Sequence, residues 1–293
     1  MRIVVTGASG FVGRVLAEGL ALRHDVTGLH GGEPVRGAFG QSAPVDLEDP
    51  RSIRLILEKA EPDVVIHAAA ITNIDLCERQ RDRTRRVNVG ATAAIAEAGA
   101  RQGFATVFLS TDQIFDGLRP PYEEIAEPHP TSVYGHSKVE AERALAAVGG
   151  RWAVLRLSLV YGWGGFIRWL VDRIGSGEAV TLFTDQFRNP VHTSSILEAV
   201  EAVVAREAWG EIFHVGGADR VDRVTFARLF AEKLRYDASR FQGVTMREVP
   251  AKLPRPADTT LVTTKAEKLL GWRPLSLLEG FTRMAALQPQ GWR

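Results

Sequence analysis

Positions 2–13 read RIVVTGASGFVG, an apolar stretch that runs into Gly7, Gly10 and Gly13 and continues as FVGRVLAEGLALR. No other feature constrains the fold as much. The stretch is short, apolar and without strict alternation, as expected for a strand buried on both faces of a parallel sheet. Glycines placed between such a strand and a helix let the backbone turn tightly and approach a pyrophosphate. The first N–H groups of the helix and the positive end of its dipole add the attraction. Gly7, Ser9, Gly10, Phe11, Val12 and Gly13 are therefore the candidate dinucleotide-binding residues of this loop.

The same rhythm recurs. DVTGL (25–29), DVVIHAAA (63–70), ATVFLST (105–111) and WAVLRLSLVYG (152–162) read as strands, and DPRSIRLILEKA and NVGATAAIAEAGARQG as intervening helices. Repeated strand–helix–strand units imply right-handed crossovers and an α/β, Rossmann-type doubly wound parallel sheet. Beyond residue 162 the rhythm loosens. Helices are expected at 166–175 and 193–206, a strand at EIFHVGG (211–217), a helix at TFARLFAEKL, and a short amphipathic stretch in the proline-bearing tail. The expected division is a dinucleotide-binding domain over 1–160, with 190–216 packing back on it. Residues 161–189 and 217–293 would form a smaller, mostly helical substrate lobe.

Composition narrows the function. Thirty-six basic residues face 35 acidic ones, a net charge of +1, so no global field favours nucleic acid or a membrane surface. No apolar run approaches a bilayer span, and the N-terminus enters a strand without a signal-peptide pattern. Cys77 is the single cysteine, which excludes an intrachain disulfide and points to a reducing, cytoplasmic setting. The seven histidines show no ligand spacing, so no metal site is expected.

The second strand should end beside the adenosine ribose, where an acid favours NAD. Here it ends GLHGGE: His30, two glycines, then a displaced Glu33. NADP(H) is accordingly favoured and NAD(H) left open, with Arg14, His30 or Arg36 as partners for a 2′-phosphate. Asp46, followed by Leu47, is placed either to accept from the adenine amino group or to cap a helix.

VYGHSK (133–138) sets Tyr134 and Lys138 four residues apart, on one helical face. An ammonium near a phenol favours phenolate, and such a tyrosine can exchange a proton with a substrate oxygen. Ser110, Thr111 and Asp112 end the strand FLST, at the sheet edge where open α/β folds bind ligands. A hydroxyl there could bond the same substrate oxygen.

TGASGFVG, PDVVIHAAAITNIDLCE, RRVNVGAT, STDQIFDG, YGHSK, LRLSLVYG, FTDQFRNPVHTSSI and RPADTTL together resemble an extended short-chain dehydrogenase/reductase, most similar to the dTDP-4-dehydrorhamnose reductase family. The resemblance spans about residues 2–275. It implies hydride transfer to C4 of a nucleotide-linked 4-keto-6-deoxy-sugar. Tyr134 would be the proton donor, Lys138 would hold the nicotinamide ribose and lower the phenol's pKa, and Thr111 would polarise the carbonyl. Ala68, Ala69 and Ala70 would let the dinucleotide lie against a strand end; Ser158, Leu159 and Val160 would line the nicotinamide. Asn88 would hold the active-site backbone, and Thr72, Asp112, Gln113, Arg188, Asn189, His192 and Arg255 would face the substrate. Relatives are commonly dimeric, which makes a homodimer the expected assembly.

One departure matters. Reductases of the family read STDYVFDG, and Gln113 stands where the second tyrosine would be. Gln113 cannot act as the base of a 4,6-dehydratase, so that chemistry is set aside. An epimerase and a non-catalytic NADP-binding partner, like the regulatory subunit of methionine adenosyltransferase, stay open. The arginines of ERQRDRTRR (78–86) read as a solvated helical face or a phosphate-binding edge, and Trp163 and Trp169 as packing residues.

Overall fold

The computed structural model describes residues 1–32, 39–249 and 254–289. In chain order the strands are β1 (Arg2–Thr6), β2 (Asp25–His30), β3 (Gln41–Pro44), β4 (Val64–His67), β5 (Ala105–Thr111), β6 (Trp152–Leu157), β7 (Val160–Tyr161), β8 (Val180–Phe183), β9 (Phe187–Arg188), β10 (Val191–His192), β11 (Glu211–Val215), β12 (Val221–Asp222) and β13 (Phe241–Val244). The helices are α1 (Phe11–Leu20), α2 (Pro50–Ala60), α3 (Ile74–Arg79), α4 (Arg81–Arg85), α5 (Ala91–Gln102), α6 (Val133–Val148), α7 (Gly165–Gly175), α8 (Thr193–Ala205), α9 (Arg223–Leu234), α10 (Thr264–Leu270) and α11 (Leu277–Ala286).

Seven strands form a wholly parallel sheet in the order β11-β6-β5-β4-β1-β2-β3. The order reverses between β1 and β4, and the carboxyl ends of those strands open the crevice in which such sheets bind ligands. The continuous apolar run of β1 follows from burial on both faces. Ile3 and Val5 pack with Leu16 and Leu20 of α1 and Ile196 and Val200 of α8. Val4 faces the other way, onto Ile53 and Leu57 of α2 and Ile95 of α5.

A second apolar core gathers Tyr161, Ile167, Leu170, Leu182, Phe226, Phe230 and Phe281. Around it lie two-stranded pairs the periodicity did not announce: β13 beside β8, and β12 antiparallel to β9. Each is too short to carry a pattern. The helix α10, expected with the substrate lobe, instead applies Ala266 and Leu270 to the main sheet's core, because these are its apolar face.

The run 152–162, expected as one strand, divides. β6 ends at Leu157, Ser158 N donates to Val215 O at 3.2 Å, and β7 pairs with β10 outside the main sheet. Likewise β4 stops at His67, leaving Ala68–Ala70 outside the sheet ladder, with Ala69 N donating to Thr6 Oγ1 at 3.2 Å. No helix among the described residues is long and apolar enough to cross a membrane.

Candidate active site

The turn from β1 into α1 is built for close approach. Gly7 has φ +69°, and a Cβ there would lie 2.8 Å from Ala69 Cα; a Cβ on Gly13 would meet the Gly7 carbonyl oxygen at 2.1 Å. Gly10 caps α1 without a side-chain hydrogen bond, and the first turn of the helix carries no acidic residue, so its positive end is left uncapped among the described residues. Beside it runs a cleft of about 800 Å³ lined by Gly7, Ser9, Gly10, His30, Asp46, Leu47 and Ala68–Ala70. Bare backbone, small side chains and an uncovered helix end fit a dinucleotide's pyrophosphate.

Three loop residues do not line this cleft. Phe11 packs beneath the turn at Gly162–Gly165, so tightly that a Cβ on Gly164 would sit 2.3 Å from its ring. Val12 joins the main core, and Gly13 is consumed in the contact between helix and loop. Arg14 is exposed and lines no part of the cleft. Glu33 and Arg36 lie outside the described residues. His30 is buried with Nδ1 2.7 Å from Gly32 O. Asp46 accepts from Glu48 N at 2.8 Å, and the cap of α2 is Asp49, not Asp46. Sequence reasoning passed over Glu48, which lines the cleft together with Arg83 of the arginine run. Glu48 binds Arg83 at 2.8 Å and Arg86 at 2.9 Å. These contacts are long-range in sequence and leave no local signal.

From Ile71 to Thr72 the wall passes into a second cavity of about 950 Å³, bordered by Thr72, Thr111, Asp112, Gln113, Tyr134, Ser158, Leu159, Val160, Arg188 and Arg255. Asn88 pins this junction: its amide accepts from Ile71 N at 2.8 Å and donates to Ile71 O at 3.0 Å and Ser137 Oγ at 2.9 Å. Ser132 starts α6 by accepting from Gly135 N at 3.1 Å. A Cβ on Gly135 would lie 2.4 Å from Gln113 O, so the first turn of α6 presses on the end of β5. That contact sets Tyr134 beside Thr111 on the cavity wall, where the Thr111 hydroxyl also donates to Asp112 Oδ1 at 3.3 Å.

The electrostatics depart from expectation. Burial pushes the Tyr134 phenol up, against the opposing pull of the neighbouring Thr111 hydroxyl, with Asp112 adding to the rise. Lys138 does not lower it. The ammonium is buried over the Phe108 ring, 3.8 Å from its centroid, and Nζ donates to Leu109 O at 2.7 Å. Burial pulls Lys138 down to about 7, opposed by Glu142 one turn along α6. Ser110 is also turned from the cavity: its hydroxyl donates to Glu142, which Arg156 grips at 2.8 Å. Only Thr111 of the two strand-end hydroxyls borders the cavity.

Asp112 organises the far wall. Its carboxylate accepts from Thr259 Oγ1 at 2.5 Å and Gln113 Nε2 at 3.2 Å and faces Arg188 Nε at 3.1 Å. Arg188 also donates to Pro256 O at 3.1 Å. Asn189 and His192, expected to meet a substrate, serve the framework instead. Asn189 is buried, donates to Gly217 O at 3.2 Å and Leu261 O at 3.0 Å, and accepts from Leu261 N at 3.0 Å. His192 caps α8 by accepting from Ser194 N and lies edge-on to Tyr161. Both side chains turn away from the cavity into the packed interior, although Asn189 directly follows cavity-lining Arg188. Arg223 and Gln186, which the sequence did not single out, do border the cavity.

A Rossmann sheet with a glycine-loop cleft, opening beside a strand-end threonine and a Tyr/Lys helix, defines an extended short-chain dehydrogenase/reductase. Within that class, the chain belongs to the family described as RmlD substrate binding domain, whose model matches residues 1–287. It is 30% identical over 289 residues to dTDP-4-dehydrorhamnose reductase of Burkholderia thailandensis, covering 92% of this chain and 93% of the relative. It is 29% identical over 283 residues to methionine adenosyltransferase 2 subunit beta of Xenopus laevis, covering 92% and 82%. The crystal structure of dTDP-4-dehydrorhamnose reductase from Bacillus anthracis str. Ames in complex with NADP matches with a TM-score of 0.87 at 23% identity, over 98% and 99% of the two chains, a likeness of fold.

Proposed function

We propose that the chain is an NAD(P)H-dependent reductase of the C4 ketone of a nucleotide-linked 4-keto-6-deoxy-sugar, with NADPH favoured and Tyr134 as proton donor. The observation that carries this reading is the convergence of Thr111 and Tyr134 on one cavity wall, where the glycine-loop cleft meets the second cavity. The name of the B. thailandensis relative and the NADP held by the B. anthracis reductase support it.

Gly7, Ser9 and Gly10 would hold the pyrophosphate, Asp46 and Leu47 the adenine, and Leu159 and Val160 the nicotinamide. The dinucleotide, when bound, supplies the hydride. Thr111 bonds the carbonyl oxygen and Tyr134 together. Because burial keeps the phenol protonated at neutral pH, Tyr134 stands loaded as an acid. Its proton moves only once negative charge builds on the substrate oxygen, which is then the stronger base. Thr72 and Gln113 border the space for the sugar, and Gln113 offers an amide where relatives offer a phenol.

Tyr134→Phe tests the assignment. The variant should bind NADPH like the parent and lose turnover by about 10²- to 10⁴-fold, the range for a single general acid; unchanged turnover removes Tyr134 from the role. The 29% identity to methionine adenosyltransferase 2 subunit beta favours one other reading, a non-catalytic NADP-binding partner. Tight NADPH binding without NADPH oxidation on any dTDP-, UDP- or GDP-linked 4-keto sugar would select it.

A further inference from the structure

Three guanidinium groups border the second cavity, and they are not equally satisfied. Arg188 is matched by Asp112 at 3.1 Å. Arg255 stands over the Phe183 ring, 5.1 Å from its centroid, and among the described residues forms no ion pair. Arg223, the first residue of α9, is half-buried and likewise has no carboxylate partner among the described residues. Its Nε donates to Gln186 Oε1 at 3.0 Å and its guanidinium lies 5.5 Å from the Phe166 ring centroid.

Burial, with Arg188 and Arg255 alongside, lowers the Arg223 pKa to about 9, which leaves it charged at neutral pH. A cation removed from water beside like charges is costly unless an anion compensates it. The carboxylate that favours its charge, on Asp112, is committed to Arg188, Thr259 and Gln113, and that of neighbouring Asp222 caps α9 through Thr225 N. Arg223, half-buried, and Arg255, exposed at the rim, thus give one cavity two guanidinium groups without an ion-pair partner among the described residues, and guanidinium forks suit phosphate oxygens held bidentately. Gln186, itself buried, fixes the direction of the fork by occupying Nε and leaving the terminal nitrogens.

We propose that Arg223, oriented by Gln186, is a specificity-determining residue that selects a nucleoside diphosphate over a monophosphate in the substrate's nucleotide portion. This rests on the nucleotide-sugar reading above and adds a residue to it.

The test is calorimetric titration of the full chain, saturated with NADPH, with dTDP, dTMP and inorganic pyrophosphate. The parent should bind dTDP more tightly than dTMP. Arg223→Gln should narrow that gap by about tenfold to a hundredfold, the span of one or two lost charge-assisted hydrogen bonds, and should weaken pyrophosphate similarly. Gln186→Leu should narrow it less, and Arg223→Lys should restore part of it. An unchanged gap in Arg223→Gln, with NADPH binding intact, overturns the proposal and leaves the reductase reading standing. If the parent binds neither thymidine nucleotide, the same titration with UDP and UMP and with GDP and GMP decides; failure on all three pairs overturns both. If Arg223→Gln also loses NADPH, Gln186→Leu decides: a narrowed gap supports the selection and an equal gap refutes it.

Discussion

Replacing Lys138 with methionine gives a reading of stability against pH that isolates one buried charge. The ammonium is 2% exposed, lies against Phe108, and spends one of its three N–H groups on Leu109 O at 2.7 Å. Glu142 favours its charge, but that carboxylate is already gripped by Arg156. Desolvation wins, and the pKa falls from an ordinary lysine value to about 7. In the unfolded chain the same group titrates near 10.4. Between these values the unfolded state binds a proton that the native state does not, so native stability rises with pH across the window. The slope is about 1.4 kcal/mol per pH unit for one proton, and the full swing is on the order of 5 kcal/mol. Below pH 7 the cost of the buried charge is fully present. Tyr134 does not confound the measurement up to pH 9, because its phenol is protonated there both in the unfolded chain, where it titrates near 10, and in the native state, where burial raises it. Urea unfolding of parent and Lys138→Met, measured at half-unit steps from pH 6 to 9, should give a stability difference flat below 7. Above 7 the parent should gain on the variant by roughly 1 kcal/mol per unit. A difference independent of pH across that range would refute the account of Lys138 as a desolvated, weakly compensated cation.

Two further substitutions probe the frame. Gly13→Ala forces a methyl group to within 2.1 Å of the Gly7 carbonyl; it should cost about 1–3 kcal/mol in thermal unfolding, as overpacking does, and abolish measurable NADPH binding by displacing the loop. Asn189→Ala strips three hydrogen bonds from buried backbone groups. It should lower stability by about 2–4 kcal/mol in urea titration while leaving the KM for a nucleotide sugar near the parent's; a raised KM with intact stability would return Asn189 to the substrate.

Sequence and structure agree where the signal is local and periodic. β5 spans 105–111 as its apolar run suggests, and α7 and α8 fall within one residue of their expected ends. Ala68–Ala70, named from the family resemblance, line the glycine-loop cleft, and Thr111, named from its place at a strand end, borders the second cavity. The misses share a different character. Whether WAVLRLSLVYG is one strand or two depends on Val215 receiving Ser158, a partner more than fifty residues away. Asn189 and His192 sit in a segment that does run beside the cavity, but a one-residue advance along an extended chain turns a side chain to the other face, so Arg188 borders the cavity and Asn189 does not. Arg223 and Gln186 became visible only when β9, β12 and α9 were folded against one another. The phenol's pKa went astray for an energetic reason: spacing on a helix says that two side chains share a face, and nothing about how much water they lose.

The seat of Gly135 on the carbonyl of Gln113 has a consequence for how such a protein could diversify. That contact is made by main chain alone, so it is indifferent to what residue 113 displays. On the reading proposed above, tyrosine, glutamine or another group could be exchanged there, altering which sugars are admitted, while Tyr134 keeps its position. Selectivity and proton delivery thus share a support but not a side chain, and one can drift without dragging the other.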